Sequence, residues 1–80
     1  MEPFDALQNI VKRDLEISFG SGLTSIILTN ARVKAGIPIL NMTQEHYATL
    51  VGVICDDERV IQMWGASGTK EKMSKWLRLA

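Results

Sequence analysis

Cys55, His46 and the run Asp56-Asp57-Glu58 carry the most reactive side chains of this 80-residue sequence. A thiol beside an imidazole is the material of nucleophilic catalysis, and either one beside carboxylates can ligate a metal. The spacing supports neither chemistry. On a helix His46 and Cys55 would stand about two and a half turns apart, and neither a zinc-site spacing nor an EF-hand loop is present. A single cysteine excludes an intrachain disulfide and an all-thiolate metal site. With no neighbour in sequence to lower its pKa, Cys55 reads as a small buried hydrophobe, and His46 as a surface residue. Gly20-Ser21-Gly22 could cradle an anion ahead of a helix, but it lacks the lysine of a P-loop and the third glycine of a dinucleotide fingerprint. Helix termination accounts for these residues. No catalytic residue, cofactor or metal is expected.

Three further residues suggest binding. Asp14 has a helical angle that falls within an apolar stripe, where a carboxylate can pair with a partner across an interface. Trp64 and Trp76 are core residues by composition, and tryptophan is also a strong interface anchor when a pocket desolvates it. All three are candidate interface residues.

Helices must position them. Pro3 suits a first helical turn, where its missing N–H would have no partner in any case. Phe4, Leu7, Val11 and Leu15 come next at three- and four-residue spacing, with Ile10 and Ile17 widening the stripe. This predicts an amphipathic helix, ended by Phe19-Gly20-Ser21-Gly22. Ser21 is placed to cap a second helix running to Ala35. Leu23, Ile26, Ile27, Leu28 and Val33 spread around that helix, which suits a central element covered on more than one side. Residues 24–29 also read as a buried strand, because β-branched side chains are dense there. Gly36 and Pro38 are stop signals, leaving 37–41 as a connecting loop or short strand.

Thr43, with Asn41 as its competitor, is placed to cap a third helix in which Tyr47, Leu50, Val51 and Ile54 share a face. Gly52 inside it costs about 1 kcal/mol relative to alanine, so a packing reason is expected. Asp56-Asp57-Glu58 suit a helix beginning, and Val60, Ile61 and Trp64 form the apolar side of a short fourth helix. Gly65-Ala66-Ser67-Gly68 reads as a loop. Thr69 then caps a terminal helix with Met73, Trp76 and Leu77 on one side and Lys70, Lys72, Lys75 and Arg78 on the other. The expected fold is mainly α, a compact bundle of four to five short helices, with a β-hairpin over 51–64 as the alternative. Residues 1–80 read as a single small domain with no internal repeat.

The composition, 46% apolar and 22% charged, is that of a globular protein and excludes disorder. A chain this short buries only about 60% of its unfolded surface. A protein partner that adds core is therefore expected, with a homo-oligomer first in line. Nine basic and nine acidic residues leave no net charge and no overall attraction to a polyanion. The apolar runs are far shorter than the roughly 20 residues needed to cross a bilayer, and no secretory pattern is visible. No membrane partner and a cytoplasmic location are expected.

Thr43-Gln44-Glu45, Tyr47-Ala48 and Val51-Gly52-Val53, followed by Arg59, Ile61-Gln62, Trp64 and Gly68, resemble the helix-turn-helix of phage-repressor-type DNA-binding domains. The resemblance spans residues 43–68, with a longer turn. It implies that the second helix lies in a major groove. Thr43 and Gln44 would then touch phosphate, Arg59 and Gln62 would reach bases or phosphate, and Lys70 and Lys72 would add basic contacts. Asp56, Asp57 and Glu58 at the start of that helix oppose a phosphate backbone. The first expectation is therefore a non-catalytic regulatory or adaptor module acting through homo-oligomer or protein–protein contacts. A sequence-specific helix-turn-helix transcriptional regulator is the alternative.

Overall fold

A computed structural model of the chain describes residues 1–38 and 40–80; Ile39, within the 37–41 connection, lies outside the described residues. Helix α1 (Pro3–Ala6) runs through a π-helical turn (Leu7–Val11) into α2 (Lys12–Ala35), and then come α3 (Gln44–Cys55) and α4 (Glu58–Leu77). The chain is mainly helical, with no strand among the described residues. Residues 51–64 are helical on either side of a turn at Asp56-Asp57, so the hairpin alternative is not adopted. Residues 24–29 belong to α2.

Two glycines fold the long helices into a compact body. A straight helix the length of α2 would span about 36 Å, yet the molecule measures 31 × 24 × 20 Å. Gly20 (φ 77°, ψ 169°) bends α2 and Gly65 (φ 75°, ψ 167°) bends α4. This backbone region is open essentially to glycine alone. The bend at Gly65 corrects the expected 65–68 loop. One residue turns the chain and the helix resumes at once, so Thr69 lies inside α4 and donates its hydroxyl to the Gly65 carbonyl at 2.7 Å instead of capping.

The two bends echo each other. An aromatic residue precedes each glycine (Phe19, Trp64), and a buried threonine stands four residues beyond it (Thr24, Thr69). The two bends therefore share a local pattern, carried only by the aromatic, glycine and threonine positions. The Phe19 and Trp64 rings pack 6.0 Å apart, tilted by 51°. The two bends are thus held against each other.

Helix α3 is the central element, touching α1, α2 and α4. Its Tyr47, Leu50, Val51, Ile54 and Cys55 join Ala6, Leu7, Val11, Leu15, Ile27, Val60 and Trp76 in one core. This corrects the expectation that the second helix is central. In α2 past Gly20 only the face of Thr24, Ile27 and Ala31 is buried, while Ile26 is 51% and Val33 73% exposed. The N-terminal stripe also shifts. In the π turn the Lys12 N–H reaches back to the Leu7 carbonyl, and such a wide turn rotates the helix before it relative to the helix after it. Pro3 and Ala6 are buried as a result, and Phe4 and Ile17 are exposed. Thr43 caps α3 as expected. Its hydroxyl accepts the His46 N–H at 3.1 Å, and His46 Nδ1 accepts the Thr43 N–H at 3.2 Å. This is a capping box in which an imidazole stands in the usual Glu or Gln position.

Candidate protein-interaction site

Helix α4 organises two different surfaces around one buried anchor. Trp76 is fully buried. Its indole N–H donates to Asp14 Oδ2 at 2.9 Å, and its carbonyl accepts the Tyr47 hydroxyl at 2.7 Å. Lys75 donates to the same Asp14 oxygen at 3.1 Å, and Lys72 lies 3.6 Å from it. The Asp14 side chain keeps only 11% of its exposure. That burial pushes its carboxyl upward, but the bonds from Trp76 and Lys75 and the two lysine charges outweigh it and hold the pKa below the usual value. Burial likewise pushes the Tyr47 hydroxyl up to about 12, so it remains a donor at neutral pH.

Trp64 sits beside this network. Its ring meets Trp76 edge-on at 5.8 Å, Lys72 stands 5.3 Å from its centroid, and its N–H donates to the Ser18 hydroxyl at 2.8 Å. Asp14, Trp64, Trp76 and Lys72 are thus brought together within one chain. Met63, Trp64, Lys72, Lys75 and Arg78 border a broad depression here. Its positive charge is largely offset, since Glu71 lies among the cations and Asp14 takes up both lysines.

The remaining residues singled out from sequence lie apart from that network. Asp57 caps α4 by accepting the Arg59 N–H at 2.8 Å, and the Arg59 guanidinium closes a two-point pair on the same carboxylate at 3.0 and 2.8 Å. Those side-chain bonds hold the Asp57 pKa below its ordinary value against the opposing effect of burial. Gln62 is exposed. Thr43 is occupied as a cap, and Gln44 donates to the Ala80 carbonyl at 3.3 Å. Gly52 lies inside α3, and the chain turns at Asp56-Asp57.

The second surface is an apolar groove of about 240 Å³ between the end of α3 and α4. It is lined by buried Cys55 and Thr69 and by Gly52, Asp56, Ile61, Ala66, Lys70 and Met73. Burial and the neighbouring Asp56 charge push the Cys55 thiol up to about 11, so at neutral pH it is a protonated apolar group. The groove is smaller than the roughly 300–1,000 Å³ of small-molecule sites and better suited to a few partner side chains. Among the described residues no group of three or more His, Cys, Asp or Glu is placed to hold a metal. No helix among them is long and apolar enough to cross a membrane.

Gly52 is the groove residue whose signal is visible in sequence. A packing reason is expected for it, and the described residues supply none: beyond its own helix backbone, a Cβ built on it would meet none of their atoms within 4 Å. Gly68 differs, since a Cβ there would sit 3.3 Å from the Trp64 Cβ. Ile61 and Met73 read from sequence only as helix-face residues, because nothing local marks the second wall that α3 supplies. Comparison with protein families, with curated proteins and with solved structures finds no match to this chain.

Proposed function

We propose that this protein is a small non-catalytic regulatory or adaptor module that works through protein–protein contacts at the α3–α4 groove. Gly52 carries the reading. A glycine in a helix interior costs about 1 kcal/mol relative to alanine, and here no contact among the described residues accounts for it. What it provides is room in an apolar groove beside exposed Ile61. An open apolar surface next to such room is a feature of docking sites. DNA binding is the weaker reading, because Asp57 holds the Arg59 guanidinium at two points while Asp56 and Glu58 stay exposed beside it.

The test compares wild-type protein with Ile61→Glu, each immobilised, challenged with an extract of the source cells and read by mass spectrometry. Circular dichroism confirms that both are folded. The expected result is at least one protein, a second copy of the chain included, retained by wild type and lost with the variant. Identical retention by the two would contradict the proposal. Anisotropy of labelled genomic DNA fragments at low salt is expected to stay flat. Binding that survives Ile61→Glu would instead favour the regulator reading.

A further inference from the structure

We infer that the cleft between the π turn and the arm of α2 beyond Gly20 binds a doubly charged phosphate group of a small molecule, held by Lys12 and Arg32. The site is separate from the α3–α4 groove and does not depend on the interaction-module reading. Its volume is about 160 Å³, below the roughly 300 Å³ at which sites for whole small molecules begin, so it suits one compact group. Gln8, Lys12, Ser25, Thr29 and Arg32 supply its polar lining, and buried Leu7 and Leu50 are among its apolar walls. Among the described residues no carboxylate lines it.

Charge identifies the ligand. Lys12 and Arg32 are both half-buried, and neither makes an ion pair among the described residues. Two cations brought to one cleft repel each other, and a lining of one sign concentrates ligands of the other. The depression beside Trp64 differs on both counts, since Glu71 lies in it and Asp14 takes up Lys72 and Lys75. The neutral groups of the cleft are an amide and two hydroxyls, each able to donate to an oxyanion. Arg32 can offer parallel N–H groups to two oxygens, and Lys12 a compact charge.

The backbone is unusual at the same place. The Lys12 N–H closes the π turn on the Leu7 carbonyl, and Leu7, Gln8 and Lys12 all line the cleft. Single wide turns of this kind are frequent at functional sites. Across the cleft's other lining, Ser25, Thr29 and Arg32 follow at four- and three-residue spacing within α2, so helical geometry sets them on one face. A phosphate monoester carries close to two negative charges at neutral pH, which two cations match and the single charge of a phosphodiester does not.

The test follows the backbone amide signals of the full chain by NMR at about pH 7.5, where a monoester is close to doubly charged. Sodium phosphate, glycerol phosphate and dimethyl phosphate are titrated separately, with ionic strength held constant by sodium chloride. The two dianions are expected to give saturable shifts centred on residues 7–12 and 25–32, and dimethyl phosphate to bind about tenfold more weakly or less. Equal affinity for the dianions assigns the site to free phosphate, and tighter binding of glycerol phosphate assigns it to an organic monoester. Lys12→Gln and Arg32→Gln are each expected to weaken binding by about tenfold or more. Arg13→Gln, which removes an exposed cation outside the cleft, should leave it unchanged. Circular dichroism confirms that each variant is folded. Shifts that never saturate, that chloride alone reproduces, or that persist in both cleft variants would overturn the inference. So would a loss with Arg13→Gln as large as with Arg32→Gln, or dimethyl phosphate binding as tightly as the dianions.

Discussion

The bends at Gly20 and Gly65 share a backbone conformation to within a few degrees, yet their surroundings differ. Past Gly65, Thr69 returns its hydroxyl to the glycine carbonyl. Past Gly20, the corresponding Thr24 hydroxyl is buried with no partner among the described residues. The arm before Gly20 contributes Asp14 and Ser18, which receive the indole N–H groups of Trp76 and Trp64 from the arms around Gly65. The arm after Gly20 exposes Ile26 and Val33 over a broad side, whereas the arm after Gly65 borders the groove with Ala66, Lys70 and Met73. One local device thus serves two ends. The first bend closes the core, and the second also shapes a surface.

The largest expected effect comes from breaking the tie between the bends. Asp14→Ala leaves the Trp76 N–H buried without its acceptor and removes the lysines' shared counter-ion. It should cost about 3 kcal/mol in urea unfolding, since bonds to charged groups contribute about 1.5–3 kcal/mol each. This difference depends on pH. The folded pKa of Asp14 lies below its ordinary value of 3.8, so the carboxylate's contribution is fully present above 3.8 and fades as pH falls through the folded pKa. The gap between wild type and Asp14→Ala should therefore narrow on acidification, as measured by unfolding at stepped pH.

Gly20→Ala and Gly65→Ala test whether the bends are equivalent as backbone. Neither Cβ would clash with anything within 4 Å, so the cost is conformational, about 2 kcal/mol in each case. Similar losses in chemical denaturation would support a shared device, and a much smaller loss at one site would break the equivalence. The threonines should separate the two bends. Thr69→Val removes a bond and should cost about 1 kcal/mol, whereas Thr24→Val removes an unsatisfied buried hydroxyl and should be neutral or stabilising by up to about 1 kcal/mol. Thermal melts of the two variants would show shifts of opposite sign or a shift at Thr69 alone.

Much of the helical character is legible in the sequence, because capping residues and three- and four-residue spacing act locally. Thr43, Asp57 and the face of Tyr47, Leu50, Val51 and Ile54 are each readable on those grounds. The bends are harder to read. A glycine-rich stretch signals a stop without stating whether one residue or four will turn the chain, so Gly65-Ala66-Ser67-Gly68 reads as a loop. The exposure of Phe4 comes from a π turn that simple helical spacing does not anticipate. Which helix is central depends on how the bends stack the arms, so the sequence overrates α2 and underrates α3. Asp14 is conspicuous as a carboxylate in an apolar stripe, but its partners Trp76, Lys75 and Lys72 come from the opposite end of the chain and leave no local trace. The groove needs both α3 and α4, and in sequence only the cost of Gly52 points to it.

That glycine is the most direct test of the account. Gly52→Ala should raise monomer stability by about 1 kcal/mol, because the helix gains propensity and the added methyl meets nothing. It should also weaken capture of the partner protein at the groove; urea unfolding under dilute conditions and retention on the immobilised protein read the two effects on the same variant. A more stable chain that associates less tightly is the predicted result. A more stable chain whose association is unchanged or stronger would show that the space at Gly52 is not a docking space, and would contradict the assignment of the groove.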